Sequence, residues 1–122
     1  MSIRHDHKEN PFLKNTVDEL LKISRESGST FWRDIAERLV EGKHRLASTN
    51  LGKIEKLSSD GDTIVIPGTV LGSGYFNRKA TLSSLRVSSS AFRKIKESGS
   101  TFKNLVDLAR ENPKGTNLKI LR

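Results

Sequence analysis

Apolar residues follow helical spacings at the start of the chain and mixed, mostly shorter spacings after it. Behind a polar tail over residues 1–9, Asn10-Pro11 predicts a helix start, with Asn10 as N-cap and Pro11 at the first helical position, where proline's missing N–H costs nothing. Leu13, Val17, Leu20 and Leu21 then fall at i, i+4, i+7 and i+8, one face of a helix. Gly28 supplies a left-handed stop. Ser29-Thr30 can cap a second helix in which Phe31, Ile35 and Leu39 recur every four residues, with an end near Gly42. The result is a helical hairpin over 10–42 whose apolar stripes require something to lie against.

Residues 43–49 read as a basic connector. Asn50 is placed to cap a short helix, since Leu51, Ile54 and Leu57 recur every three residues. Ser58-Ser59-Asp60-Gly61 is a turn cluster. The β-branched run Asp62-Thr63-Ile64-Val65-Ile66 predicts a strand ending at Pro67-Gly68. Val70-Leu71 leads into Gly72-Ser73-Gly74, a flexible loop. Residues 79–87 form another strand candidate, with Ala80 and Leu82 on one parity and Leu85 and Val87 on the other, which a bulge near Ser83-Ser84 would reconcile. Ser88-Ser89-Ser90 offers caps for a helix over 91–98, stopped by Gly99, with Ala91, Phe92 and Ile95 as its buried side. A helix over 105–111, capped by Asn104, ends before Asn112-Pro113-Lys114-Gly115, and Leu118-Lys119-Ile120 alternates like a strand.

These elements predict one α+β domain over 10–122, an N-terminal helical hairpin followed by an irregular array of short strands and helices over 50–122. Glu-Ser-Gly-Ser-Thr-Phe occurs at 26–31 and again at 97–102, but the residues that follow have different apolar spacing. The same helix-stop chemistry used twice accounts for it better than a structural repeat.

A chain of 122 residues is about one domain. With 34% apolar and 30% charged residues it is polar for a globular protein, yet apolar enough to fold. It has no cysteine, which removes disulfides and thiolate metal sites. Apolar runs such as Ile64-Val65-Ile66 are far short of a membrane span, and residues 1–7 lack the apolar core of a signal peptide. The expectation is a soluble protein that stays where it is made and has no membrane partner.

Charge changes the picture. The net charge is +8, and its distribution is uneven: residues 1–50 carry nine Lys/Arg against eight Asp/Glu, residues 51–122 thirteen against six. No carboxylate occurs between Asp62 and Glu97, an interval that holds Arg78, Lys79, Arg86, Arg93, Lys94 and Lys96. A solvated surface normally mixes both signs, so this segment points to an anionic partner.

Candidate chemistry is sparse. His5 and His7 lie in a tail and His44 lies between Lys43 and Arg45, which suits neither a closed metal site nor general-base work. No serine occupies a Gly-x-Ser-x-Gly elbow. Gly68-Thr69-Val70-Leu71-Gly72-Ser73-Gly74 lacks the Gly-Lys-Ser/Thr ending of a nucleotide-binding loop. No acid, base, nucleophile and electrophile set can be assembled, so no enzyme, cofactor, metal or small-molecule substrate is expected. Exposed glycine backbone next to Asn77-Arg78-Lys79 would instead admit RNA phosphates. Phe31 and Trp32 fit the core, and Tyr75 and Phe76 are the better candidates for contact with a base or sugar.

Several segments together resemble the archaeal and eukaryotic large-subunit ribosomal protein eighteen-e family, related to bacterial large-subunit ribosomal protein fifteen. They are Asn10-Pro11 with its Leu-rich helix, Phe31-Trp32-Arg33-Asp34-Ile35-Ala36-Glu37-Arg38-Leu39, Asn50-Leu51-Gly52-Lys53-Ile54, the run from Gly61 through Gly74, and Asn112-Pro113-Lys114-Gly115. They follow in order over about nine tenths of the chain. The connector 40–46 departs from the family, which tends to be richer in Arg there. The absence of long basic extensions resembles archaeal members. What the resemblance implies is a structural constituent of the large ribosomal subunit, cytoplasmic, bound to large-subunit ribosomal RNA beside other ribosomal proteins.

The candidate RNA contacts are Lys43, Arg45, Lys53, Gly72, Ser73, Gly74, Tyr75, Asn77, Arg78, Lys79, Arg93, Lys94, Lys96 and Lys114. The competing reading is a helix-turn-helix DNA-binding regulator, since two helices join through Gly28. Its recognition helix would carry Arg33 and Arg38 against Asp34, Glu37 and Glu41, which is the wrong charge for a DNA reader.

Overall fold

The structure, a computed structural model, describes residues 11–41 and 48–121. The expected tail over 1–9, the Asn10 cap, the helix end near Gly42 and residues 43–47 of the connector lie outside the described residues.

The hairpin forms as its spacing predicts. Helix α1 (Pro11–Ser27) buries Val17, Leu20 and Ile23, and α2 (Phe31–Glu41) buries Trp32, Ile35, Ala36 and Leu39. Between them Gly28 adopts φ 76° and its N–H bonds the Ser24 carbonyl at 3.0 Å. The Ser29 hydroxyl accepts from Phe31 N at 3.2 Å. Gly99 ends a later helix at φ 87°, so the repeated hexapeptide is helix-stop chemistry in both places.

The stripes lie against a sheet. Its strands are β1 (Ser48–Asn50), β2 (Thr63–Leu71), β3 (Thr81–Val87), β4 (Thr101–Asn104) and β5 (Lys119–Ile120). The order is β1-β2-β3-β4, with β5 also pairing β2, and every pairing is parallel. The short helices are α3 (Leu51–Leu57), α4 (Ser89–Glu97) and α5 (Leu105–Glu111). This is the expected mixture of helices and strands in one domain. Lys119 Nζ meets Asp62 Oδ2 at 2.9 Å and fastens β5 to the start of β2.

Successive strand residues face opposite ways, and the sheet divides the core into two layers. Val65 and Leu85 pack with Leu20, Trp32, Ile35, Leu39, Leu105 and Leu108 of α1, α2 and α5. Ile64, Ile66 and Leu82 pack with Leu51 and Ile54 of α3, Ala91 and Ile95 of α4, and Phe76. Helices therefore cover both faces.

That two-sided burial explains where expectation and structure part. Strand β2 does not stop at Ile66 but runs through Pro67-Gly68 to Leu71. The register steps from Ile66↔Ser84 to Thr69↔Arg86, so two residues of β2 face one of β3, a bulge that tolerates proline's missing donor. The irregularity thus lies on β2, not at Ser83-Ser84. Strand β3 starts at Thr81, and both of its parities are buried because both faces are covered. Residues 48–49, the end of the expected connector, form β1 together with Asn50, a strand too short to show a period. Leu57 of α3 is exposed, as is Phe92 of α4, which leaves Ala91 and Ile95 as that helix's buried side.

The segment 112–116 straps the hairpin's turn. Trp32 Nε1 donates to Asn112 O at 2.9 Å, Ser27 Oγ to Pro113 O at 3.1 Å and Ser29 Oγ to Lys114 O at 2.9 Å. Gly115 stands at φ 68°, and a Cβ there would come within 2.5 Å of the Phe31 ring.

Candidate nucleic-acid interface

The Gly72–Gly74 loop leaves the end of β2 and lies between the starts of α3 and α4. A Cβ on Gly72 would fall 2.3 Å from Ser90 Oγ, and one on Gly74, which stands at φ 94°, would fall 2.7 Å from Gly52 Cα. Glycine is required here by the protein's own packing. Asn50 makes no side-chain cap to α3; instead the Gly52 N–H, one of that helix's first donors, bonds Ser73 O at 3.0 Å. The α4 cap forms as expected, Ser88 Oγ accepting from Ala91 N at 3.2 Å, and Asn104 caps α5 through Asp107 N.

The cations around this loop are of two kinds. Lys94 Nζ donates to Gly72 O at 2.6 Å and Gly74 O at 3.1 Å. Arg78 donates to Glu55 O through Nε at 3.2 Å and Nη2 at 3.1 Å, and lies 3.7 Å from the Glu55 carboxylate. Lys79 Nζ reaches Ser98 O at 3.2 Å. The Asn77 backbone N–H donates to Glu55 Oε1 at 2.9 Å. These side chains spend donors inside the fold. Arg93 is exposed and holds no ion pair among the described residues, and Lys96 stands over the Phe92 ring at 5.3 Å from its centroid. Lys53 is exposed on α3.

Sequence reasoning missed two members of this surface. Glu55 organises Asn77 and Arg78 across 22 and 23 residues of chain, a contact no local spacing signals. Lys56, exposed and without an ion pair among the described residues, follows Lys53 by three residues on α3, and that spacing does put both on one helix face.

Other expected contacts lie elsewhere. Lys114 is exposed on the opposite side of the sheet, beside Ser29. Lys43 and Arg45 lie outside the described residues. Tyr75 is exposed, but Phe76 is only 7% exposed and belongs to the core, clustered with Leu51, Ile54 and Leu82, which removes it as a candidate for contact with a base or sugar.

Sorted by layer, the charges separate. Helices α1, α2 and α5 carry six Lys/Arg against eight Asp/Glu. Helices α3 and α4 with residues 72–80 carry seven against two, the two being Glu55 and Glu97. On α2 the exposed charges neutralise one another, Arg33 with Glu37 at 3.3 Å and Arg38 with Asp34 at 3.4 Å, so the helix-turn-helix reading finds no cationic recognition surface there.

No protein-family model matches the chain. Whole relatives do. It is 52% identical to large ribosomal subunit protein eL18 of Picrophilus torridus over 122 residues, all of both chains. It is 48% identical to that of Thermoplasma volcanium, again over all of both chains. The chain belongs to the large ribosomal subunit protein eL18 family. A more distant member, from Halobacterium salinarum, is 35% identical over 115 residues, 94% of this chain and 98% of its own. The segments that carried the resemblance acquire physical roles in this eL18-family fold: Asn50 to Ile54 supplies the Gly52 seat, the run to Gly74 supplies the central strand and loop, and Asn112 to Gly115 supplies the strap.

Proposed function

We propose that the protein is a structural constituent of the large ribosomal subunit that docks on large-subunit ribosomal RNA through the α3, 72–80 and α4 face. The separation of charge across the sheet carries this reading. A layer with seven cations and two carboxylates gains nothing for folding from that excess, whereas a phosphate backbone would release its counterions to it. Its role is to position and stabilise RNA, not to transform a substrate. Membership of the eL18 family supports the same reading, as does its implication of ribosomal proteins as neighbours within the cytoplasmic ribosome.

The test is cosedimentation with large subunits followed by mapping of the RNA protected in the native particle. The protein should travel with the subunit at low salt and leave it as salt rises towards molar levels. A protein found mainly in the free fraction at low salt would refute the reading.

A further inference from the structure

Lys94 belongs to the basic layer, yet its ammonium is turned onto the protein's own backbone. It holds the carbonyls of Gly72 and Gly74 at 2.6 and 3.1 Å, while Gly52 N holds the carbonyl of Ser73 at 3.0 Å. Three consecutive carbonyls are thus fixed alternately by α4, α3 and α4. Beyond the loop the chain is anchored again: Phe76 is buried and Asn77 N bonds Glu55.

Between these anchors Tyr75 is 70% exposed, and among the described residues its ring has no stacking partner and its hydroxyl no hydrogen bond. The other exposed aromatics differ, since Phe12 has Arg86 over its ring and Phe92 has Lys96. A large open ring on a backbone fixed from both sides can be covered by a partner with little loss of loop entropy.

We propose that Lys94 is a positioning residue, locking the Gly72–Gly74 loop so that Tyr75 forms a stacking platform for an unstacked RNA base. This rests on the RNA-binding function above and specifies the state of the RNA. Bases inside a uniform duplex are stacked on one another and closed to such a ring, so the segment at Tyr75 is single-stranded, bulged or looped. Two of the three Lys94 N–H donors already have carbonyl acceptors, which leaves it poorly placed as a phosphate ligand.

Tyr75 is the only tyrosine in the chain, so ring-labelled tyrosine gives an NMR signal that reports on it alone. Binding to purified large-subunit ribosomal RNA is measured against salt for each variant, with folding checked by thermal melting. Tyr75→Ala should weaken binding about five- to a hundredfold without changing the salt slope, while Tyr75→Phe stays within about twofold of the parent. Lys94→Met should displace the Tyr75 signal in the free protein and weaken binding at an unchanged slope, and Lys94→Arg should restore both.

If Lys94→Met instead lowers the slope by about one and leaves the Tyr75 signal in place, Lys94 is a phosphate ligand. The inference then falls while RNA binding stands. Should Lys94→Met fail to fold, the tyrosine pair decides: Tyr75→Ala as tight as the parent overturns the platform. A parent protein that shows no salt-dependent binding overturns the proposed function and this inference with it.

Discussion

The two layers flanking the sheet bury comparable apolar clusters but treat charge in opposite ways. On the α1, α2 and α5 side, Lys14 pairs with Asp18, Arg33 with Glu37, Arg38 with Asp34 and Arg110 with Glu19. On the α3 and α4 side Arg78 pairs with Glu55, while Lys94 and Lys79 turn to backbone carbonyls and Arg93 holds no ion pair among the described residues. A comparable core forms on the hairpin side without a cationic excess, so folding does not explain the excess on the other. Concentrated like charge repels itself, and its retention on one layer is what an anionic partner would select.

Changes inside the hairpin layer should be large in stability and specific to it. Leu39 is fully buried, and Leu39→Ala should cost roughly 2–5 kcal/mol in urea unfolding while the folded fraction keeps its salt slope for RNA. A normal stability would mean that the hairpin contributes little to the core. On the other layer, Gly74→Ala meets both a φ of 94° and a contact of 2.7 Å with Gly52 Cα. It should cost about 1–3 kcal/mol and also weaken RNA binding at conditions where the variant is fully folded. A loss of stability with affinity intact would detach the loop from the interface.

The layers were unequally legible in the sequence. The hairpin could be read because its stripe repeats over several turns and ends at Gly28, so Val17, Leu20, Ile35 and Leu39 all lie where their spacing puts them. Strand ends were less legible: nothing local tells that Pro67 occupies a bulge, because that depends on the register with β3. Cations could be counted but not aimed. Arg93 and Lys94 are adjacent in sequence, yet one is exposed with no ion pair among the described residues and the other bonds two loop carbonyls, and only the return of α4 beside Gly72 decides which. The glycines were found for an incomplete reason, since Gly52, Ser90 and Ala91 already fill the space beside them.

Single cations sharpen the comparison further. Arg93→Ala and Lys56→Ala should each weaken binding to large-subunit ribosomal RNA nearly uniformly and reduce the salt slope by about one unit. Lys22→Ala, on the charge-balanced α1, should change neither quantity much. Slopes unchanged by the first two and reduced by the third would move the RNA surface to the hairpin layer.

The smallest effect lies at the sheet edge between the layers, where Asp62 accepts from Lys119 at 2.9 Å and from Ser59 N at 2.9 Å. The Lys119 hydrogen bond first, then the Ser59 N–H, holds the Asp62 carboxyl below its ordinary value of 3.8. A carboxyl whose pKa is lower folded than unfolded binds fewer protons in the folded state, so its stabilisation is present above the unfolded pKa and disappears as pH falls through the folded one. Because both side chains are partly exposed, the pair should contribute about 1 kcal/mol or less. The stability gap between the parent and Asp62→Asn should therefore be constant at neutral pH and close below the ordinary carboxylate value. Lys119→Met should move the Asp62 titration, followed by its side-chain carboxyl NMR signal, back towards 3.8. A titration that stays in place after that change would assign the depression to the Ser59 N–H and the Arg78 charge, not to Lys119.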